Sequence, residues 1–145
     1  MSFFKPDFAR SPGCGESIDC SFVSCVLVID DDKESAEPLI RFLAKAGLSV
    51  TYAADGRQAI AILTAEIPDA IILDLQMPEM DGISFLRVLR SYLRWDHVPV
   101  FIWTAYPDSS ACVCAEGLGA CRVFPKAQLN FAQIKSVIDQ CVGGA

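Results

Sequence analysis

The residues able to do chemistry fall into four groups. Three consecutive carboxylates, Asp30-Asp31-Asp32, follow one apolar run, and a single carboxylate, Asp74, ends another, Ala70-Ile71-Ile72-Leu73. Thr104 ends a third run, and Lys126 follows a fourth. Carboxylates held close together repel unless a cation lies between them. Oxygen ligands of this kind suit a hard divalent ion, Mg²⁺ (or Mn²⁺). Such an ion screens an incoming phosphoryl group from a carboxylate nucleophile. A hydroxyl and an ammonium opposite would bind the remaining phosphoryl oxygens. Asp74 is then a metal ligand, a nucleophile or a paired structural charge. Taken singly, each residue has a plainer role: an Asp after a strand is commonly a turn residue or helix cap, and a lone Lys a solvated charge. Only a shared position gives them a joint meaning.

The elements that carry them supply that position. Short apolar runs bounded by turn signals read as strands buried on both faces. They cover Phe22 to Ile29, Leu48 to Ala53, residues 70–74, Val98 to Thr104 and Cys121 to Phe124. Helical spacing separates them. Residues 34–46 place Leu39, Ile40, Leu43 and Ala46 on one face, with Ser35 as N-cap, Pro38 in the first turn and Gly47 after the end. A second helix follows Asp55-Gly56. A third opens at Gly82 and runs to about Leu93, a fourth covers Pro107 to Leu118, and a fifth runs from an Asn130 cap to Val142. Strands alternating with helices build a parallel sheet by right-handed crossovers. The fold class is α/β: a flavodoxin-like, doubly wound (βα)5 three-layer sandwich with five strands in the order 2-1-3-4-5. That order brings Asp30, Asp74, Thr104 and Lys126 to the carboxyl rim, where such sheets bind ligands.

Composition narrows the function. The 145 residues suit one domain, and 52% hydrophobic content with a mean hydropathy of +0.36 suits a buried sheet. A net charge of -6 and a pI near 4.6 argue against a nucleic-acid face, which needs basic clusters. No apolar run reaches membrane-spanning length and the start lacks the order of a secretory signal, so a cytoplasmic protein is expected. Residues 1–21, rich in Ser, Pro, Gly and Asp, read as a tail or arm. Seven cysteines at scattered spacing do not suggest a disulfide framework or a zinc site. Cys25, Cys121 and Cys141 lie in apolar patterns and are expected in the core. Cys112 and Cys114 stand two apart on a helix and do not face one another, which makes them a poor redox pair.

Over about residues 24–142 the sequence resembles the receiver domain of bacterial two-component response regulators, of the chemotaxis-protein Y type. The resemblance rests on Val26-Leu-Val-Ile-Asp30-Asp31-Asp32, on Ile71-Ile-Leu-Asp74-Leu-Gln-Met77-Pro78-Glu-Met80-Asp81-Gly82, on Val100-Phe-Ile-Trp-Thr104-Ala105, and on Gly119-Ala120 before Lys126. It makes residues 22–145 the receiver and implies roles by position. Asp74 is the phosphoacceptor. Asp31 is the chief Mg²⁺ ligand, with Asp30 beside it, and Asp74 and the backbone carbonyl of Gln76 complete the set. Lys126 pairs with the phosphoryl group and holds Asp74. Thr104 bonds a phosphoryl oxygen, and Ala105 is small so that the group can enter. Gln76 and Tyr106 tune loss of the acyl phosphate, with the bulk of Tyr106 shielding it from water. The donor is a histidine kinase or histidine phosphotransfer protein. The domain is no enzyme beyond its own phosphorylation and dephosphorylation.

Three features depart from the family. Lys126 is followed by Ala127 rather than proline, with Pro125 before it. A non-proline cis bond costs about 3–4 kcal/mol, so a trans Lys126–Ala127 bond is expected. The switch aromatic three residues before the lysine is replaced by Val123, β-branched and stiff. Phe124 beside it points to the other side of the sheet. The helix after Thr104 is poor in charge, which suggests a downstream partner or a homodimer through residues 108–142. The leading reading is a stand-alone receiver that signals by protein contact. Its rival is a non-phosphorylated receiver-like scaffold using the same face constitutively. A haloacid-dehalogenase-type hydrolase lacks its second Asp, which would fall at Gln76. A flavin carrier lacks a phosphate loop after the first strand.

Overall fold

The structure is a computed structural model and describes residues 24–77, 81–127 and 130–143. Its elements are β1 (Cys25–Ile29), α1 (Lys33–Lys45), β2 (Ser49–Ala53), α2 (Gly56–Ala65), β3 (Ala70–Leu73), α3 (Gly82–Ser91), β4 (Val100–Thr104), α4 (Ser110–Gly117), β5 (Arg122–Pro125) and α5 (Phe131–Gly143). The strands form one sheet in the order β2-β1-β3-β4-β5, parallel throughout. Strand alternation divides the core in two. Leu27, Ile29, Ile71, Leu73 and Ile102 face α2, α3 and α4 through Ala59, Leu63, Phe85, Leu86, Leu89 and Ala115. Val26, Val28, Ile72, Phe101 and Trp103 face α1 and α5 through Ala36, Leu39, Leu43, Ile134 and Ile138. These are the expected architecture and strand order. No helix among the described residues is long and apolar enough to cross a membrane. The tail over residues 1–21 and the start of a strand at Phe22 lie outside the described residues.

The first helix starts earlier than its spacing predicts. Asp32, not Ser35, is the N-cap, and its carboxylate accepts from the Ser35 N–H. An ionised cap also meets the positive end of the helix dipole, which a serine hydroxyl does not. Pro38 therefore lies past the first turn, on the exposed side of α1, where water can serve the carbonyl that its missing N–H leaves free. Gly47 takes the left-handed conformation after the helix, with φ +100°. Other ends shift by a few residues. Helix α3 stops at Ser91, β4 begins at Val100, α4 covers only Ser110–Gly117 behind a Ser109 cap, and β5 is displaced one residue onward. Asn130 caps α5 as expected, accepting from the Gln133 N–H.

Cysteine placement reverses the expectation. Cys121 and Cys141 are exposed and Cys25 is half-buried, whereas Cys112 is buried. Cys121 precedes β5, and Cys141 lies in the last turn of α5, beyond the face that packs on the sheet. The Cys112 thiol contacts the Tyr106 carbonyl and the Ser109 hydroxyl, while Cys114 faces Arg87. Arg90 ties the far rim together by donating to the carbonyls of Asp96, Val98, Leu118 and Gly119.

Gly82 is fixed by space. A Cβ there would stand 2.7 Å from the Asp74 carbonyl oxygen and 2.7 Å from the Leu75 Cα. Asp81 caps the helix that Gly82 opens, so this Asp-Gly pair presses α3 onto the loop after β3. A Gly82→Ala variant is expected to lose about 1–3 kcal/mol of stability in urea melts, because backbone must move. Gly117→Ala, whose Cβ meets nothing within 4 Å, is expected to match wild type or exceed it slightly.

Candidate functional site

Asp30, Asp74 and Lys126 each sit one step past a strand, held by the last bond of the ladder, and Thr104 ends β4. The Asp30 N–H donates to the Ala53 carbonyl, Asp74 to Ile29 and Lys126 to Thr104. Sheet register therefore gathers three strand ends at one rim. One carboxylate oxygen from each of Asp30, Asp31 and Asp74 lies within 4.8 Å of the others. Asp30 and Asp74 are buried, and Asp31 is exposed at the mouth. The acidic triplet is thus split by role: Asp30 and Asp31 join the cluster, and Asp32 caps α1.

Lys126 supplies the positive charge. Its Nζ lies 2.7 Å from Asp30 Oδ2, 3.6 Å from Asp74 Oδ2 and 5.0 Å from the centre of the Trp103 ring. The ammonium is nearer to Asp30 than to Asp74, so it bridges both carboxylates rather than holding Asp74 alone. The Ser35 hydroxyl lies 3.2 Å from the same nitrogen. The Tyr52 hydroxyl donates to the Asp30 carbonyl. Neither Ser35 nor Tyr52 carries a sequence signal, since both act across the sheet rim. Every peptide bond among the described residues is trans, Lys126–Ala127 included, as expected.

The electrostatics follow from this packing. Burial, followed by the charge of Asp30, pushes the Asp74 carboxyl up to about 7, against an opposing pull from Lys126. Burial and the Asp30 carboxylate likewise raise the Tyr52 hydroxyl. Three clustered carboxylates beside one ammonium leave an excess of negative charge on oxygen ligands. That donor set fits a hard divalent cation.

Thr104 is buried, and its hydroxyl donates to the Gln76 side-chain carbonyl at 3.0 Å and accepts from the Tyr106 N–H at 3.1 Å. Gln76 donates its own N–H to Asp74 Oδ1 at 3.2 Å. It therefore links the Asp74 carboxylate to the Thr104 hydroxyl, a connection that sequence spacing does not reveal. Gln76, Ala105, Tyr106 and Ser109 line an open cleft of about 520 Å³ beside Thr104. Ala105 and Tyr106 are exposed there. Val123 packs toward the α2–α3–α4 layer, while Phe124 is buried against Phe101 in the other layer, the split expected from alternation.

Comparison with known proteins places this geometry. Residues 26–139 match the response regulator receiver domain. The chain is 40% identical over 101 residues to the response regulator MprA of Mycolicibacterium vanbaalenii, which covers 70% of this chain and 43% of that protein. MprA of Mycobacterium avium is 39% identical over the same length. The chain spans less than half the length of these relatives. Among solved structures, the chemotaxis protein CheY4 of Vibrio cholerae superposes with a TM-score of 0.75 at 26% identity, over 82% of this chain and 98% of that one. The receiver domain of a signal transduction histidine kinase from Syntrophus aciditrophicus gives 0.76 at 28% identity, over 84% and 92%.

Stability should report the raised Asp74 group. Folded Asp74 holds its proton more tightly than the unfolded chain, so raising the pH from about 4 to about 7 ionises the unfolded state first and lowers stability. In chelator, the melting temperature is expected to fall across that window, and the fall should be smaller in Asp74→Asn. At pH 7.5, millimolar Mg²⁺ should raise the melting temperature of wild type and leave that variant unchanged. A matched family profile, two-fifths identity to MprA proteins and a shared strand order agree that the chain belongs to the response regulator receiver domain family.

Proposed function

We propose that this receiver accepts a phosphoryl group on Asp74 from the phosphohistidine of a histidine kinase or a histidine phosphotransfer protein. The observation that carries the reading is the cluster itself: Asp74 within reach of Asp30 and Asp31, with the Lys126 ammonium bridging Asp30 and Asp74. Asp30, Asp31, Asp74 and the backbone carbonyl of Gln76 would hold Mg²⁺. That ion would neutralise charge on the phosphoryl oxygens when bound.

The chain's own groups do the rest. An Asp74 carboxylate oxygen attacks phosphorus as the phosphorus–nitrogen bond breaks, and the bonding pair stays with the donor imidazole. The product is an acyl phosphate. The Lys126 ammonium turns from the carboxylates toward the new phosphoryl oxygens. Thr104 exchanges its bond to Gln76 for one to a phosphoryl oxygen, and Ala105 leaves room for the group. Later, water attacks phosphorus and releases phosphate, restoring Asp74. Tyr106 at the cleft slows that attack. With Val123 in place of a swinging ring, the signal passes through the Thr104 loop and α4. Exposed Tyr106 and Val113 there favour a protein contact, to a downstream partner or a second copy within residues 108–142. Such a kinase-coupled role sets the domain in the cytoplasm.

Those exposed residues also favour a second reading, a constitutive docking domain that is never phosphorylated. Acetyl phosphate with Mg²⁺ separates the two. Intact mass spectrometry is expected to show one added phosphoryl group on wild type and none on Asp74→Asn. No addition to wild type supports the docking domain instead. In the same assay, Tyr106→Ala is expected to lose its phosphoryl group severalfold faster than wild type. Equal or slower loss contradicts shielding by Tyr106.

A further inference from the structure

At the rim opposite the acidic cluster, a cleft of about 760 Å³ opens between the loops before β4 and β5 and the end of α5. Cys121 and Cys141 both line it, and both are exposed. Burial and then the Cys121 sulfur push the Cys141 thiol up, so the two side chains interact across this shared cleft. The Cys121 backbone is fixed by its N–H bond to the Val100 carbonyl at 2.8 Å, and Cys141 rides on a helix anchored by buried Ile134 and Ile138. Arg90 lines the same cleft, and Arg122, next in the chain to Cys121, adds a second guanidinium nearby. Accessible, adjacent and flanked by cations, these sulfurs differ from Cys112, which is buried, and from Cys114, which lies elsewhere on α4.

We propose that Cys121 and Cys141 form a reversible intramolecular disulfide that staples the last turn of α5 to the start of β5, with a small-molecule disulfide such as oxidised glutathione as the oxidant. The Cys121 thiolate attacks one sulfur of the oxidant and expels a glutathione thiolate, leaving a mixed disulfide. The Cys141 thiolate then attacks the Cys121 sulfur, forms the intramolecular bond and expels the second glutathione thiolate. Two electrons and two protons pass from the protein to two molecules of glutathione. The bond closes a chain loop that contains all of β5 and most of α5 and leaves the acidic rim free. A small-molecule reductant reverses it by the same exchange.

The test treats the full chain with oxidised glutathione and blocks remaining thiols with N-ethylmaleimide. Combined digestion after Arg, Lys and Glu separates Cys121 from Cys112 and Cys114. The expected product is one cross-linked peptide pair, Cys121 with Cys141, lost on adding dithiothreitol. Cys121→Ser and Cys141→Ser should each abolish the cross-link and leave the remaining partner as a glutathione adduct. Cys112→Ser should leave the cross-link intact. Oxidised wild type should melt roughly 5 °C or more above reduced wild type. Separate glutathione adducts on both residues in wild type, or a cross-link to any other cysteine, overturn the proposal.

Discussion

Two buried carboxylates facing one ammonium set the terms for this protein. Asp30 and Asp74 are withdrawn from water at neighbouring strand ends, and Lys126 lies between them. Removing either charge from water costs several kcal/mol, and one ammonium cannot fully offset both. The imbalance appears in Asp74, whose carboxyl is pushed up to about 7 by burial and by Asp30. A third carboxylate, Asp31, waits at the mouth. The domain therefore keeps an unrelieved negative charge at the carboxyl rim of its sheet. A divalent cation among the acids would relieve it, and under the proposed function a phosphoryl group would then meet Lys126 and Thr104.

The sheet exists, for this purpose, as a ruler. Parallel pairing of β1 with β3, β3 with β4 and β4 with β5 brings residues 30, 74, 104 and 126 to one rim although 96 positions separate Asp30 from Lys126. The ladder bonds from Asp30, Asp74 and Lys126 leave their backbones little freedom. Freedom remains in the side chains. Gln76 holds both the Asp74 carboxylate, through its N–H, and the Thr104 hydroxyl, through its side chain. A change at Asp74 thus has a direct route to Thr104 and to the Tyr106 N–H that Thr104 accepts. In this chain that route ends at an exposed tyrosine and a charge-poor helix, not at a ring on β5.

The elements were legible from periodicity, and the strand order and the cluster from the doubly wound topology that those elements suit. Apolar runs ending in Asp30, Asp74 and Thr104 place those residues at one rim under any right-handed parallel winding. Contacts made across the rim were not legible. Ser35 has the look of a cap, yet Asp32 caps the helix and Ser35 turns to Lys126. Tyr52 shows no local pattern because its partner lies 22 residues away, and Gln76, marked by its position two after Asp74, gave no sign of its bond to Thr104, 28 residues away. The cysteines failed for a related reason. Apolar neighbours in sequence say little about a residue just outside a strand, such as Cys121, or on the outer turn of a helix, such as Cys141.

Under the proposed function, position at the rim, not negative charge in general, would gather the metal. Asp31 and Asp32 are adjacent and chemically identical, but one belongs to the cluster and the other caps α1. Isothermal titration of Mg²⁺ into Asp31→Asn and Asp32→Asn tests this directly. The account predicts that Asp31→Asn loses measurable binding, while Asp32→Asn binds with an affinity close to that of wild type despite a weaker helix start. Equal losses in the two variants, or unchanged binding in Asp31→Asn, would contradict it.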